Sequence, residues 1–133
     1  MDDNYDEFSL LVDNAREVGL PAPTGVSVRR VQVDTPSGSP VSALVWGTGE
    51  PELVLVHGGA QNAHTWDTVA MALDRPLVAI DLPGHGHSDA PRELPEGHMN
   101  AEGNASDVAA AVRELAPAAR AVVGMSLGGL TTI

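Results

Sequence analysis

AVVGMSLGGLTTI, residues 121–133, holds a short apolar run, a serine bracketed by glycines, and the start of a second apolar pattern. The run from Ala121 to Met125 reads as a buried strand, and the residues from Leu127 as the opening of a helix. Between them, Gly124-Met125-Ser126-Leu127-Gly128 fits G-x-S-x-G in the strand-to-helix context that this motif demands. A serine on so sharp a turn sits in a strained backbone conformation that projects its hydroxyl clear of the sheet. A Cβ two residues before or after it would collide with the turn, and Gly129 is expected to let the helix pack closely. Ser126 is therefore a candidate nucleophile.

Working back from that strand, LVLVH (53–57) and LVAID (77–81) are further continuous apolar runs, the pattern of parallel strands covered on both faces. Between them AHTWDTVAMAL reads as a helix with Trp66, Val69, Ala70 and Leu73 on one face. After them SDVAAAVREL reads as another, with Val108, Ala111, Val112 and Leu115 inward and Pro117 closing it. Alternating strands and helices predict βαβ units and a parallel sheet. Pro91 to Asn104 is the one long polar loop, and no internal repeat or low-complexity tract is present.

Nearer the N-terminus the periodicity differs. Phe8, Leu11, Val12, Ala15 and Val18 recur at three- and four-residue steps, predicting a helix from Tyr5 to Val18 that Gly19 and Pro21 end. Residues 1–25 thus form a helical extension. Val26 to Thr35 alternates valine with polar residues as a half-buried strand; Ser37 to Pro40 is turn chemistry, and VSALVW is the hairpin partner. An antiparallel hairpin therefore opens the fold.

A chain of 133 residues is about one domain, long enough to bury roughly two-thirds of its unfolded surface if it closes on itself. Eighteen acidic against seven basic residues, all arginine, leave a net charge of −11, which argues against a nucleic-acid partner and for solubility. The absence of cysteine removes disulfide and thiolate chemistry. The acidic MDDNYDEFSL start is unlike a signal peptide, and no run approaches the ~20 apolar residues of a membrane span. A cytoplasmic location is expected, with no membrane partner.

Two more stretches bear on chemistry. A serine attacking an acyl carbonyl creates an oxyanion, which needs two backbone N–H groups aimed at it. One belongs to the residue after the nucleophile, Leu127, and the other to the loop His57-Gly58-Gly59-Ala60, where glycine lets the backbone come close. The other stretch is DLPGHGHSDAP, residues 81–91, after the strand LVAID.

These three stretches, in this order, resemble the α/β-hydrolase family from Val26 to the end of the chain. LVLVHGGAQNAHTW is similar to its oxyanion-loop segment, DLPGHGHSDAP to its D-x-x-G-H-G-x-S loop, and VVGMSLGG to its nucleophile elbow. The resemblance implies an α/β fold with a mostly parallel sheet, strands in the order 1-2-4-3-5. It implies that residues 26–133 are the N-terminal half of such a domain. Ser126 would be the nucleophile and the Gly59 and Leu127 N–H groups the oxyanion hole, while Asp81 and His85 would be architectural. No cofactor or metal is implied. A serine at the elbow argues against the dehalogenase and epoxide-hydrolase branches, which attack through a carboxylate. Esterases, thioesterases, cofactor-free haloperoxidases or perhydrolases, and C–C bond hydrolases all remain open.

Rival patterns fit less well. His85-Gly86-His87-Ser88-Asp89 looks like the start of a metallo-β-lactamase-type metal site, but Ala90 stands where that family adds a histidine, leaving only His98 nearby. Gly84-His85-Gly86 lacks the third glycine of a dinucleotide fingerprint. His57 and His64 read as plain loop residues.

A serine needs a base, and the base an acid to orient it. In this family both come after the nucleophile along the chain, whereas all five histidines here precede Ser126 and none is expected to serve. The expectation is a hydrolase front half, cut within the helix after the nucleophile. An acyl substrate would belong to the complete parent, and a complementary C-terminal half is a possible partner. The fifth strand would be a bare apolar edge and the chain poorly folded or partner-dependent alone. The competing expectation is a catalytically inactive remnant.

Overall fold

The computed structural model describes residues 6–20, 27–36, 38–88 and 101–132, with residues 101–104 described for their backbone only. Five strands form one mixed sheet: β1 (Val28–Val33), β2 (Val41–Trp46), β3 (Leu53–Val56), β4 (Leu77–Ile80) and β5 (Ala121–Gly124), in the order β1-β2-β4-β3-β5. The hairpin pairs Val28 with Trp46 and Val33 with Val41. β2 runs antiparallel to β4, and β3 lies parallel between β4 and β5. This is the strand order that the resemblance implied.

The apolar runs of β3 and β4 are explained by burial on both faces, whereas the run expected to be a buried strand at 121–125 is exposed on β5. Successive side chains alternate across a strand, so Ala43, Val45, Val54, Val56, Val78 and Ile80 join one core. Leu44, Trp46, Leu55, Leu77 and Ala79 join the other. The helix α3 (Ala101–Leu115) covers the first face through Val108 and Ala111, with Val112 and Leu115 packed beside them. The second face is covered by α1 (Leu11–Glu17) through Leu11, by α2 (Asp67–Leu73) through Ala70, and by Ala63 in the turn before α2. The N-terminal helix therefore shares the sheet's own core.

Three expectations about helices change. α1 is shorter than Tyr5 to Val18: Leu11 and Ala15 are buried, but Val12 is 42% and Val18 56% exposed. Val18 is already the C-cap, so it has left the helical phase. Next, Ala63–Trp66 forms a 3-10 turn before α2. With about three residues per turn instead of 3.6, it rotates the adjoining helix, so Ala63, Asp67 and Ala70 face inward while Val69 and Leu73 are exposed. Finally, residues 101–104 are helical, not loop. Gly103 and Asn104 are poor helix formers, and the turn they occupy precedes the apolar face that packs on the sheet. The rest of the polar stretch, 91–100, lies outside the described residues.

β5 is an edge strand, with Ala121, Val122 and Val123 exposed. Beside it, between α3 and α4 (Leu127–Thr131), runs a groove of about 270 Å³ whose lining includes Val108, Val112, Val122 and Thr131. Among the described residues, no helix is long and apolar enough to cross a membrane.

Candidate active site

Ser126 stands between β5 and α4 with φ 55° and ψ −117°. A side chain with a Cβ seldom adopts this conformation, which costs on the order of 1–3 kcal/mol and persists only where the surroundings impose it. The surroundings here are specific. The Met125 N–H donates to the Val56 carbonyl at the end of β3 (3.1 Å), and the Gly128 N–H donates to the Met125 carbonyl (2.9 Å). A Cβ on Gly128 would run into the Val56 and His57 carbonyl oxygens, and one on Gly124 into the Gly128 carbonyl. Both glycines are therefore sterically required, as the motif predicted. Gly129 is not: its nearest contact would be the Gly124 oxygen at 3.4 Å, so the close approach to β3 is made by Gly128. Ser126 is exposed, and its Oγ has no hydrogen-bond partner among the described residues.

The loop after β3 lies against this turn. A Cβ on Gly58 would sit 3.4 Å from both the Met125 carbonyl oxygen and Ser126 Cβ, so Gly58 makes the close backbone contact. Its own N–H donates to Gln61 Oε1 (2.8 Å). Gly59 forms the turn with Ala60, whose φ is 59°, and faces the Leu127 side chain. Among the described residues, neither the Gly59 N–H nor the Leu127 N–H donates to a protein acceptor.

The two histidines read as plain loop residues are structural. His57 is fully buried; its Nδ1–H donates to the Gly58 carbonyl (2.6 Å) and its Nε2 accepts the Leu82 N–H (2.9 Å). Burial, aided by neighbouring His85, holds its pKa below the ordinary imidazole value despite the Gly58 bond and Asp81, which matches a neutral ring. His64 lies between two carboxylates, with Nδ1 2.7 Å from Asp67 Oδ2 and Nε2 2.8 Å from Glu7 Oε1. The Asp67 bond is the largest of the influences that raise its pKa. His85 Nδ1 lies 3.0 Å from the Pro83 carbonyl, and its ring centroid is 5.1 Å from that of His57. No described histidine is hydrogen-bonded to Ser126, and His98 lies outside the described residues.

Asp81 is fully buried at the end of β4. Its Oδ1 accepts the Ala63 N–H (2.6 Å), and its Oδ2 accepts Arg30 Nη1–H (2.7 Å) and the His87 N–H (3.0 Å). A Cβ on Gly86, where φ is +51°, would collide with this carboxylate. Ser88 Oγ donates to the Asp81 carbonyl (2.7 Å) and accepts the Ser42 N–H (2.8 Å), stitching the loop to β2. The Asp81 carboxylate thus holds three segments together: its own loop through His87, the start of the 3-10 turn through Ala63, and β1 through Arg30.

Sequence reasoning missed the ion cluster that extends from Asp81. Arg30 binds Glu7 through Nε and Nη2 at 2.6 to 2.9 Å, and Glu7 reaches His64. Burial raises the Glu7 pKa, but Arg30 and His64 outweigh it and hold the carboxyl below its usual range. One signal was available: adjacent Arg29 and Arg30 on a strand must point to opposite faces, so one had to enter the covered side and find a counter-ion. Among the described residues, no group of three histidine, aspartate or glutamate side chains is placed to hold a metal.

A family model described as "Alpha/beta hydrolase family" matches residues 53–133. The esterase Rv0045c of Mycobacterium tuberculosis is 51% identical over 128 residues, 96% of this chain but 40% of that protein. A pimeloyl-[acyl-carrier protein] methyl ester esterase of Nitrosospira multiformis is 36% identical over 96 residues, 70% of this chain and 36% of the relative. A crystal structure of the mycobacterial esterase superposes with a TM-score of 0.84 at 47% identity, covering 97% of this chain and 43% of that one. The chain thus spans about two-fifths of the length of the relatives it resembles.

Proposed function

The chain belongs to the alpha/beta hydrolase family, and from that premise we propose that Ser126 is the nucleophile of a site that hydrolyses carboxylic esters, with the Gly59 and Leu127 N–H groups as its oxyanion hole. The observation that carries this reading is the backbone of Ser126 itself. A non-glycine residue at φ 55° and ψ −117°, wedged by Gly124 and Gly128, has no packing role to justify its strain, since its side chain is exposed. Two amides without protein acceptors lie next to it. In the proposed reaction, Ser126 Oγ adds to the carbonyl carbon, the two N–H groups bind the oxyanion, and the alcohol leaves to give an acyl-serine that water cleaves. The similarity to two esterases supports an ester as the substrate class.

A second reading rests on the histidines. His57 and His64 have both ring nitrogens committed elsewhere, and neither His85 nor His87 is hydrogen-bonded to Ser126, so on this reading the base and its acid come from a complementary polypeptide. The exposed edge of β5 and the groove beside it are consistent with a missing neighbour. Without that polypeptide the chain is inactive.

One experiment separates the readings. The chain is treated with a fluorophosphonate probe and assayed with a p-nitrophenyl ester, alone and mixed with the part of the mycobacterial esterase C-terminal to the matched segment. Labelling at Ser126 in the mixture only, abolished by Ser126→Ala, supports the nucleophile and the need for a complement. Labelling of the chain alone removes the second reading. Labelling in neither, despite complex formation, removes the first.

A further inference from the structure

We propose that His64, clasped between Glu7 and Asp67, is a proton-operated latch that fastens the N-terminal segment carrying α1 onto the loop end of the sheet. The argument starts from donor counting. A carboxylate only accepts hydrogen bonds, and a neutral imidazole has one N–H. His64 nevertheless meets a carboxylate at each nitrogen, Asp67 Oδ2 at 2.7 Å and Glu7 Oε1 at 2.8 Å. Both contacts are hydrogen bonds only when the ring carries two protons.

The two carboxylates belong to different parts of the fold. Asp67 opens α2 and is 5% exposed, with its other oxygen buried and without a partner. Glu7 lies in the segment that leads into α1, where Leu11 seals the sheet face. When the ring loses a proton, the remaining N–H stays with the deeper Asp67, three residues away on the same turn. Glu7 is the partner released. Its ring contact is replaced by a lone pair facing a carboxylate, and its remaining hold is Arg30.

Among the described residues, the charged groups around the ring are few. Glu7 and Asp67 touch it. Arg30 binds Glu7 and is shared with Asp81 just after β4, and His87 Nδ1 lies 3.9 Å from the second Glu7 oxygen. The Phe8 ring, 5.9 Å away between centroids, brings no charge. Three carboxylates against one guanidinium favour a protonated ring. The direction comes from linkage: the His64 pKa is raised on folding, so the latch is complete below the ordinary imidazole value near ~6.5 and opens as pH climbs through the folded value. The Glu7 pKa is lowered, so Glu7 holds above its ordinary carboxylate value and lets go as pH falls through the depressed one. The latch is closed in the window between. His64 is the second residue after the Gly58–Asn62 loop, so the latch borders the candidate site without depending on its chemistry.

The test is amide hydrogen exchange of residues 10–18 in the chain at pH 6 and pH 9, corrected for intrinsic rates. Protection of α1 is expected to fall about tenfold at the higher pH, the loss of one charge-assisted bond. In His64→Gln, which donates through one amide only, protection should sit at the lower level at both pH values. As a measurement that survives a loosened helix, NMR titration of His64 should give a pKa above the ordinary value, falling toward it in Glu7→Gln. Protection in the wild type that does not change between the two pH values, a His64→Gln chain with the same step, or a His64 pKa indifferent to Glu7 would each overturn the proposal.

Discussion

Replacing Asp81 by asparagine keeps the shape of a buried side chain and changes only what it can accept. Oδ1 holds the Ala63 N–H, while Oδ2 holds Arg30 and the His87 N–H. Asparagine can turn its carbonyl toward one set only. With the oxygen toward Arg30 and His87, the new NH2 faces the Ala63 N–H, and two buried donors are left without acceptors. With the opposite orientation, the NH2 faces two donors. Each buried orphan costs about 1–3 kcal/mol, and Arg30 also loses part of its charge compensation. The expected loss is about 3–5 kcal/mol, a large part of the ~5–15 kcal/mol that holds an ordinary domain together. Urea unfolding followed by circular dichroism at pH 7 should show a midpoint lowered by about 2 M, or a chain already unfolded in water. The exposed pair Arg75–Glu52, at 3.4 Å, provides the contrast: Glu52→Gln should move the midpoint by nothing measurable. An Asp81→Asn chain within about 1 kcal/mol of the parent would refute the assignment of Asp81 as the tie between its loop, the 3-10 turn and β1.

Other outcomes rest on the same geometry. Ser126→Gly should stabilise the chain by about 1 kcal/mol relative to Ser126→Ala, since only glycine relieves a positive φ of 55°; equal stability of the two variants by urea titration would remove the strain. Gly128→Ala should destabilise by about 2–4 kcal/mol, because its methyl meets the Val56 and His57 carbonyls of another strand end and has nowhere to move; a thermal melt that matches wild type would contradict this. His57 has a pKa lowered by burial, so the folded state resists its protonation. Stability should therefore fall as pH drops below ~6.5, where the unfolded chain binds the proton. A His57→Gln chain should lose that part of the acid sensitivity in pH-dependent unfolding.

What could be read from the sequence was whatever depends on local pattern. The runs 53–56 and 77–80 announced their strands because burial on both sheet faces favours apolar residues throughout, whereas 121–125 announced a strand by its apolar run although its side chains are exposed at the sheet edge. The spacing of Gly124, Ser126 and Gly128 announced the turn because backbone sterics admit few other residues there. The strand order came from the resemblance of three motifs, not from periodicity. What escaped depended on distant partners. The phase of α2 was reset by a 3-10 turn that has no periodic signature. The roles of His57 and His64 arise from Leu82 and Glu7, residues far away in the chain. Arg30 was partly legible, since two neighbouring arginines in a strand cannot both face water, but its counter-ions were not.

The insertion of β3 between β4 and β5 makes the pairing that supports Ser126 a nonlocal one. The β1–β2 hairpin closes over a handful of residues, whereas Leu53 must find Ala121 across most of the molecule. Loop closure over the longer span costs more entropy, and nonlocal strand pairs form slowly. The turn at Ser126 is bonded to the Val56 carbonyl, and Gly128 is packed against the Val56 and His57 carbonyls, so its geometry depends on the docking of β5 beside β3. The hydroxyl is held in its exposed position only while β5 lies against β3, whose end supplies the Val56 carbonyl that grips the turn.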